Sequence, residues 1–174
     1  MTIMFKDTLK DAQVAWKHTI ENDGGRCPCC GKWGKIYAYG ISKVNAKALL
    51  WLCLQQKETD KYIDVRNNVP DYVLRSTLST LHWWGLIQQA PQNYDASYLG
   101  NKRNKNKKHE GLWRATALGE QFAYGLIQLP KQVFIYDNTL QGVSTKTVYI
   151  RDCLDKNFNY EEMMKTIFAE EVAL

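Results

Sequence analysis

Between residues 3 and 22, Phe5, Leu9, Ala12, Trp16 and Ile20 recur at intervals of three and four, while Lys6, Asp7, Lys10, Asp11 and Lys17 take the remaining faces. That spacing predicts an amphipathic helix, and Gly24-Gly25 is a natural stop for it. Residues 35–39 read as a short strand. Ser42 is placed to cap a second helix running to about residue 56. Its apolar positions, Val44, Ala48, Trp51, Leu52 and Leu54, cover much of its surface, so it is expected to be the most buried helix.

Tyr62-Ile63-Asp64-Val65 alternates like a strand, and Pro70 marks the first turn of a helical segment. Two readings compete for residues 70–84. One is a single helix. The other, which is favoured, breaks near Arg75 and starts a separate helix at an N-cap Ser76. Residues 87–90 and 112–116 read as two strands joined by a long polar segment, and residues 117–124 as a short helix. After Pro130, Val133-Phe134-Ile135-Tyr136 and Thr147-Val148-Tyr149-Ile150 read as the arms of a hairpin whose turn ends at Gly142. Asn159 is placed to cap a terminal helix holding Tyr160, Met163, Met164, Ile167 and Phe168.

Two spacings carry a resemblance. Leu81-x-x-x-Gly85-Leu86-Ile87 is followed, beyond the polar segment, by Trp113-x-x-Thr116-x-x-Gly119. Residues 42–125 thereby resemble a winged helix-turn-helix domain of the bacterial repressor type. The resemblance implies that Gly85 ends a recognition helix, that Leu86 and Ile87 open the first wing strand, and that Thr116 caps the helix after the wing. It also implies that Arg75, Ser76, Ser79 and Thr80 meet the major groove, and that the wing follows phosphates or the minor groove. The overall layout is similar to that of small bacteriophage and prophage proteins.

Charge sharpens this picture. Lys and Arg exceed Asp and Glu by five, and Lys102, Arg103, Lys105, Lys107 and Lys108 all fall within seven positions of the wing. A basic run beside a candidate recognition helix is the electrostatic footprint of a polyanion site. The competing reading is a solvated or protein-facing loop. Short hydroxyl side chains discriminate bases poorly, and Arg75 is the one group near that helix suited to bidentate guanine contact.

Cys27-Pro28-Cys29-Cys30-Gly31 resembles half of a zinc knuckle. Cys27 and Cys30 have the spacing of two thiolate ligands, so zinc is the candidate ion. A structural site needs four ligands, and a second knuckle is missing from the sequence. Two chains sharing one ion would supply both the missing ligands and a homodimer. The competing reading is a metal-free turn. The five Cys are otherwise scattered, which suits a reduced, cytoplasmic protein better than a disulfide framework.

Lys6 and Lys10 stand where a secretory signal would need its apolar core, and the longest apolar run, residues 48–54, is far short of the roughly 20 residues that span a bilayer. Catalytic signatures are missing: His18, His82 and His109 sit in helical or wing contexts, and Glu161-Glu162 and Glu170-Glu171 are adjacent pairs that cannot face each other. The expectation is an α+β protein with an N-terminal helix and Cys knuckle over residues 1–41, a winged helix-turn-helix core over 42–128, and a C-terminal hairpin plus helix over 129–174. Its expected role is non-enzymatic nucleic-acid binding, DNA over RNA, as a small regulator. The alternative is a protein-interaction module, an inhibitor or adaptor that docks the winged fold on a partner protein.

Overall fold

The structure, a computed structural model, describes residues 8–57, 59–68, 78–102 and 111–168. It is a mixed α+β fold whose chain divides into two units, Met1–Gly40 with Gln132–Thr145 and Ile41–Lys131 with Lys146–Leu174.

In the first unit, α1 spans Leu9–Glu21. Thr8 and Asp11 start it by a reciprocal capping box, each side chain accepting from the other's backbone N–H, at 3.0 Å for the Thr8 N–H and 3.4 Å for that of Asp11. Gly24, at φ +76°, turns the chain out of the helix. The two-residue strands β1 (Gly25–Arg26) and β2 (Trp33–Gly34) then pair antiparallel around the cysteine loop. β3 (Tyr37–Gly40) is an edge of a second antiparallel sheet, ordered β3-β8-β9, whose other strands are Gln132–Tyr136 and Thr139–Val143. Asp137 and Asn138, both at positive φ, form the two-residue turn between β8 and β9.

That turn corrects the hairpin expected from the sequence. Residues 133–136 pair with 139–143, and Thr147–Val148 (β10) pairs instead with Leu129–Pro130 (β7) in the second unit. Asp-Asn accepts left-handed backbone, so the returning strand starts at Thr139, eight residues earlier than the β-rich run at 147–150 suggests. Ile150 then starts a helix rather than continuing a strand.

The second unit is built on α2, Lys43–Gln56, capped by Ser42 and Asn45. Ala46, Ala48, Leu49, Leu50, Leu52 and Cys53 are all buried, which fits the expected rank of this helix. The buried Asn45 side chain also donates 2.9 Å to the hydroxyl of Thr80. β4 is only Ile63–Asp64. The chain turns into α3 (Val65–Asn68) because the buried Asp64 carboxylate accepts from the Asn67 backbone and side chain, at 3.3 and 2.7 Å, and so acts as an N-cap where a strand was expected to continue.

Ser79–Trp84 is a 3-10 helix, and Leu78 just before it is α-helical; the helix start expected at Ser76 and the break expected near Arg75 lie outside the described residues. Gly85, at φ +72°, ends it. β5 (Ile87–Gln89) and β6 (Leu112–Ala115) complete a three-stranded antiparallel sheet ordered β4-β6-β5. Helix α4 (Ala117–Ala123) follows, capped by Thr116. The chain closes with α5 (Ile150–Cys153) and α6 (Tyr160–Phe168), the latter capped by Asn159 as expected, with the Glu162 N–H donating 2.9 Å to its side chain.

Thr116 binds three points at once. Its N–H donates 3.0 Å to the Leu86 carbonyl, its hydroxyl donates 2.6 Å to the Gly85 carbonyl, and the same oxygen accepts from the Gly119 N–H at 3.0 Å. Gly119 packs so closely that a Cβ there would fall on the Leu86 carbonyl oxygen. Gly119→Ala should therefore destabilise the chain by about 3 kcal/mol, the upper end for forcing volume into filled space. A urea titration of both chains measures this; an unchanged midpoint and slope would mean that the carbonyl moves aside freely.

Candidate nucleic-acid interface

The register of the second unit's sheet builds a polar row on one face. Gln88 lies opposite Arg114, and Ile63 opposite Trp113, so Tyr62, one residue before Ile63, falls on the Arg114 face. Gln88 Nε2 donates 3.3 Å to the Tyr62 hydroxyl, and the Arg114 guanidinium lies 5.7 Å from the Tyr62 ring centre. Among the described residues, the buried Nε of Arg114 has no hydrogen-bond partner.

Two further tyrosines strap the chain after β5 across β4. The Tyr62 N–H donates 3.3 Å to the Tyr94 hydroxyl, which donates 3.4 Å to the Tyr98 hydroxyl, which donates 2.8 Å to the Tyr62 carbonyl. The Tyr62 and Tyr94 rings meet edge to face, 4.7 Å between centres. Lys61 lies with its ammonium 4.6 Å from the Tyr98 ring centre. An edge-to-face ring pair contributes about 0.5–1.5 kcal/mol and each exposed cation–π contact about 0.5–1 kcal/mol, enough together to hold this segment against the sheet. The strap leads into the 3-10 helix Ser97–Lys102, which delivers the chain to the basic run.

Of the residues expected to touch nucleic acid, Arg75, Ser76, Arg103, Lys105, Lys107 and Lys108 lie outside the described residues. Lys102 closes the 3-10 helix. Ser79 is exposed at the start of its own 3-10 helix. Thr80 is half-buried with its hydroxyl on Asn45. The sequence reading missed Lys61, Tyr62, Gln88, Tyr94, Tyr98 and Arg114. The usable signals were Tyr94-x-x-x-Tyr98 inside a segment read only as long and polar, and Arg114 at an alternating position of a strand already predicted.

The zinc expectation is corrected. Cys27 and Cys30 sit in the β1–β2 loop, where Cys27 donates 2.7 Å to the Lys32 carbonyl through its backbone N–H and accepts from the Gly31 N–H at 2.8 Å. Among the described residues, no group of three or more His, Cys, Asp or Glu comes together to hold a metal ion. Two thiolates alone leave a tetrahedral ion half-coordinated, and the turn is closed by its own backbone hydrogen bonds.

The five cysteines are all free thiols in contrasting settings. Backbone N–H groups of Cys30 and then Cys29 aimed at its sulfur hold the Cys27 thiol below its ordinary range. Burial pushes Cys53 up to about 12, with Glu120 adding to it, and pushes Cys153 up to about 11, aided by Asp152.

Comparison with family models, with curated proteins and with solved structures found no match to the chain. Among the described residues, no helix is long and apolar enough to cross a membrane.

The core holds Cys53 as a neutral thiol, so its contribution to stability is complete below pH 9 and is lost as pH rises toward 12. The loss is at most about 4 kcal/mol, three pH units at 1.36 kcal/mol each. Urea midpoints followed upward from pH 9 should fall more steeply for the wild type than for Cys53→Ala. Parallel pH profiles would sink this assignment.

Proposed function

We propose that this chain is a non-enzymatic nucleic-acid-binding protein of the winged helix-turn-helix type that engages the backbone of duplex DNA. The observation that carries the reading is the Arg114–Tyr62 row with Lys61 on Tyr98, a pair of cations mounted on aromatic rings at the root of the run Lys102, Arg103, Lys105, Lys107 and Lys108. A guanidinium that makes no salt bridge among the described residues suits a phosphate oxygen, where charge-assisted bonds are strongest.

The arrangement of elements supports the same class. Helix α2, strand β4, the short α3, the Ser79–Trp84 helix, β5, a long excursion, β6 and α4 follow in that order, and the sheet order β4-β6-β5 puts the last strand between the other two. In a winged helix the two strands that carry the wing are adjacent, as β5 and β6 are here. With few groups suited to base-edge contact, binding is chiefly to phosphates, and sequence preference is weak.

Fluorescence anisotropy of a labelled duplex tests this. Log affinity should fall linearly with log salt, and Arg114→Gln and Lys61→Gln should each reduce the slope by about 0.9, the contribution of one neutralised phosphate. Replacing the five cations at positions 102, 103, 105, 107 and 108 with Gln should remove most of the binding. Arg114→Lys, which keeps the charge, separates lost contact from lost folding. A wild-type chain that fails to bind duplex at low salt ends the proposal, and so does a slope that ignores all of these changes; capture of a protein partner under those conditions would favour a docking module instead.

A further inference from the structure

The first unit holds a cleft of its own, about 470 Å³, walled by Trp16, Trp33, Tyr37 and Tyr136 and bordered by Lys32 and Lys35. This volume is within the usual range of small-ligand sites. We propose that the cleft binds an unpaired nucleotide of single-stranded nucleic acid, the base against the rings and the phosphates against the two lysines.

The rings are left open at a cost that folding does not explain. Trp33 is 57% exposed and Tyr37 49% exposed, although each sits on a paired strand. Their supports are closely fitted. A Cβ at Gly34 would lie 2.6 Å from the Trp16 ring and 3.1 Å from the Tyr136 ring, so only glycine lets these two rings converge there. A Cβ at Gly24 would lie 3.0 Å from the Trp33 ring and 2.8 Å from Lys35 Cβ. The walls are thus fixed before any ligand arrives, which limits the ordering cost of binding.

Charge selects the ligand. Neither Lys32 nor Lys35 makes a salt bridge among the described residues, and Asp137 is the single carboxylate lining the cleft, so the rim is net positive. Aromatic faces combined with unpaired cations are the recognition chemistry of single strands, whose bases stack on side chains while phosphates meet ammonium groups. A duplex hides its base faces and does not offer them to such walls. This inference does not depend on the duplex reading, because it uses different residues in the other unit.

The test is a titration of the full chain with an oligodeoxythymidylate at low salt, followed by tryptophan fluorescence, with Arg114→Gln as a background that weakens the duplex-binding face. Saturable quenching is expected. Trp33→Ala should weaken binding at least about fivefold, the lower bound for losing one stacked base, whereas Trp33→Tyr should retain most of it. Lys32→Gln with Lys35→Gln should reduce the salt slope by about 0.7 for each phosphate released. Circular dichroism checks that each variant folds; if Trp33→Ala does not, the lysine pair gives the reading. Unchanged affinity in the folded variants overturns the proposal, as does equal quenching by polyglutamate, which would mark the cleft as a groove for acidic peptides. Duplex affinity, measured with the Trp33 and the Lys32 and Lys35 substitutions placed in the otherwise wild-type chain, should stay at the wild-type value, so failure here and failure of the wing remain separate.

Discussion

The second unit depends on one junction, where Thr116 and Gly119 meet the backbone of Gly85 and Leu86. The chain leaves this point along β5 and returns thirty residues later along β6. Closing a loop of that length costs entropy whatever its sequence, and the cost is met locally by hydrogen bonds worth about 1 kcal/mol each. Thr116 makes three of them in one place. Because Gly119 has no side chain, α4 settles directly on the Leu86 carbonyl, and the fully buried Leu81, Leu86 and Phe122 complete the core around it. Both feet of the excursion, at Leu86 and Thr116, are fixed by this contact.

Short-range chemistry was legible in the sequence. Ser42, Thr116 and Asn159 are caps with their partners three residues on, Gly85 supplies the left-handed turn that no larger residue takes easily, and α2 shows its burial in apolar positions that cover much of its surface. The helix at residues 117–124 and the strands flanking the long polar segment follow from the same signals. What escaped is what depends on partners far away in the chain. β3 pairs with β8, whose residues lie more than ninety positions later, and nothing local to Tyr37–Gly40 names that partner. Asp64 looks like a strand residue until its carboxylate turns back to Asn67. Asp137-Asn138 outweighs the stronger β-propensity of the segment that begins at Thr147, since both residues take the positive φ that a two-residue hairpin turn requires.

The candidate surfaces were hidden for a related reason. Ten Tyr and six Trp suit a core and an interface equally well. Yet among the described residues the largest fully buried side chains are chiefly Leu, with Phe122 the one aromatic in that set. Among the described residues the core is chiefly aliphatic, with Trp84, Phe122 and Tyr160 as its buried rings, while Trp33, Tyr37, Tyr39, Tyr98 and Tyr149 are exposed. Tyr94 and Tyr98 bind the excursion to the sheet, while Trp33 and Tyr37 wall a cleft. Side-chain identity alone does not separate these uses. The sheet register does, because it shows which rings share a face with a cation.

The manner in which cations are held decides what they can still attract. Lys43 and Lys47 both reach Asp155 at 3.2 Å, and the hydrogen bonds from Lys47 and then Lys43 hold its carboxyl below the usual range. Their field is partly cancelled by that carboxylate, and their work is structural. Lys61 and Arg114 are held differently. Among the described residues they lie over tyrosine rings and make no salt bridge. A ring carries a quadrupole and no net charge, so it fixes a cation in place without neutralising it. At 0.15 M salt, where fields decay within about 8 Å, an anion must come close before it feels such a charge. A cation set on a ring beside the entry to a lysine-rich segment is oriented in advance and keeps its full charge for that approach, which a cation committed to a carboxylate does not.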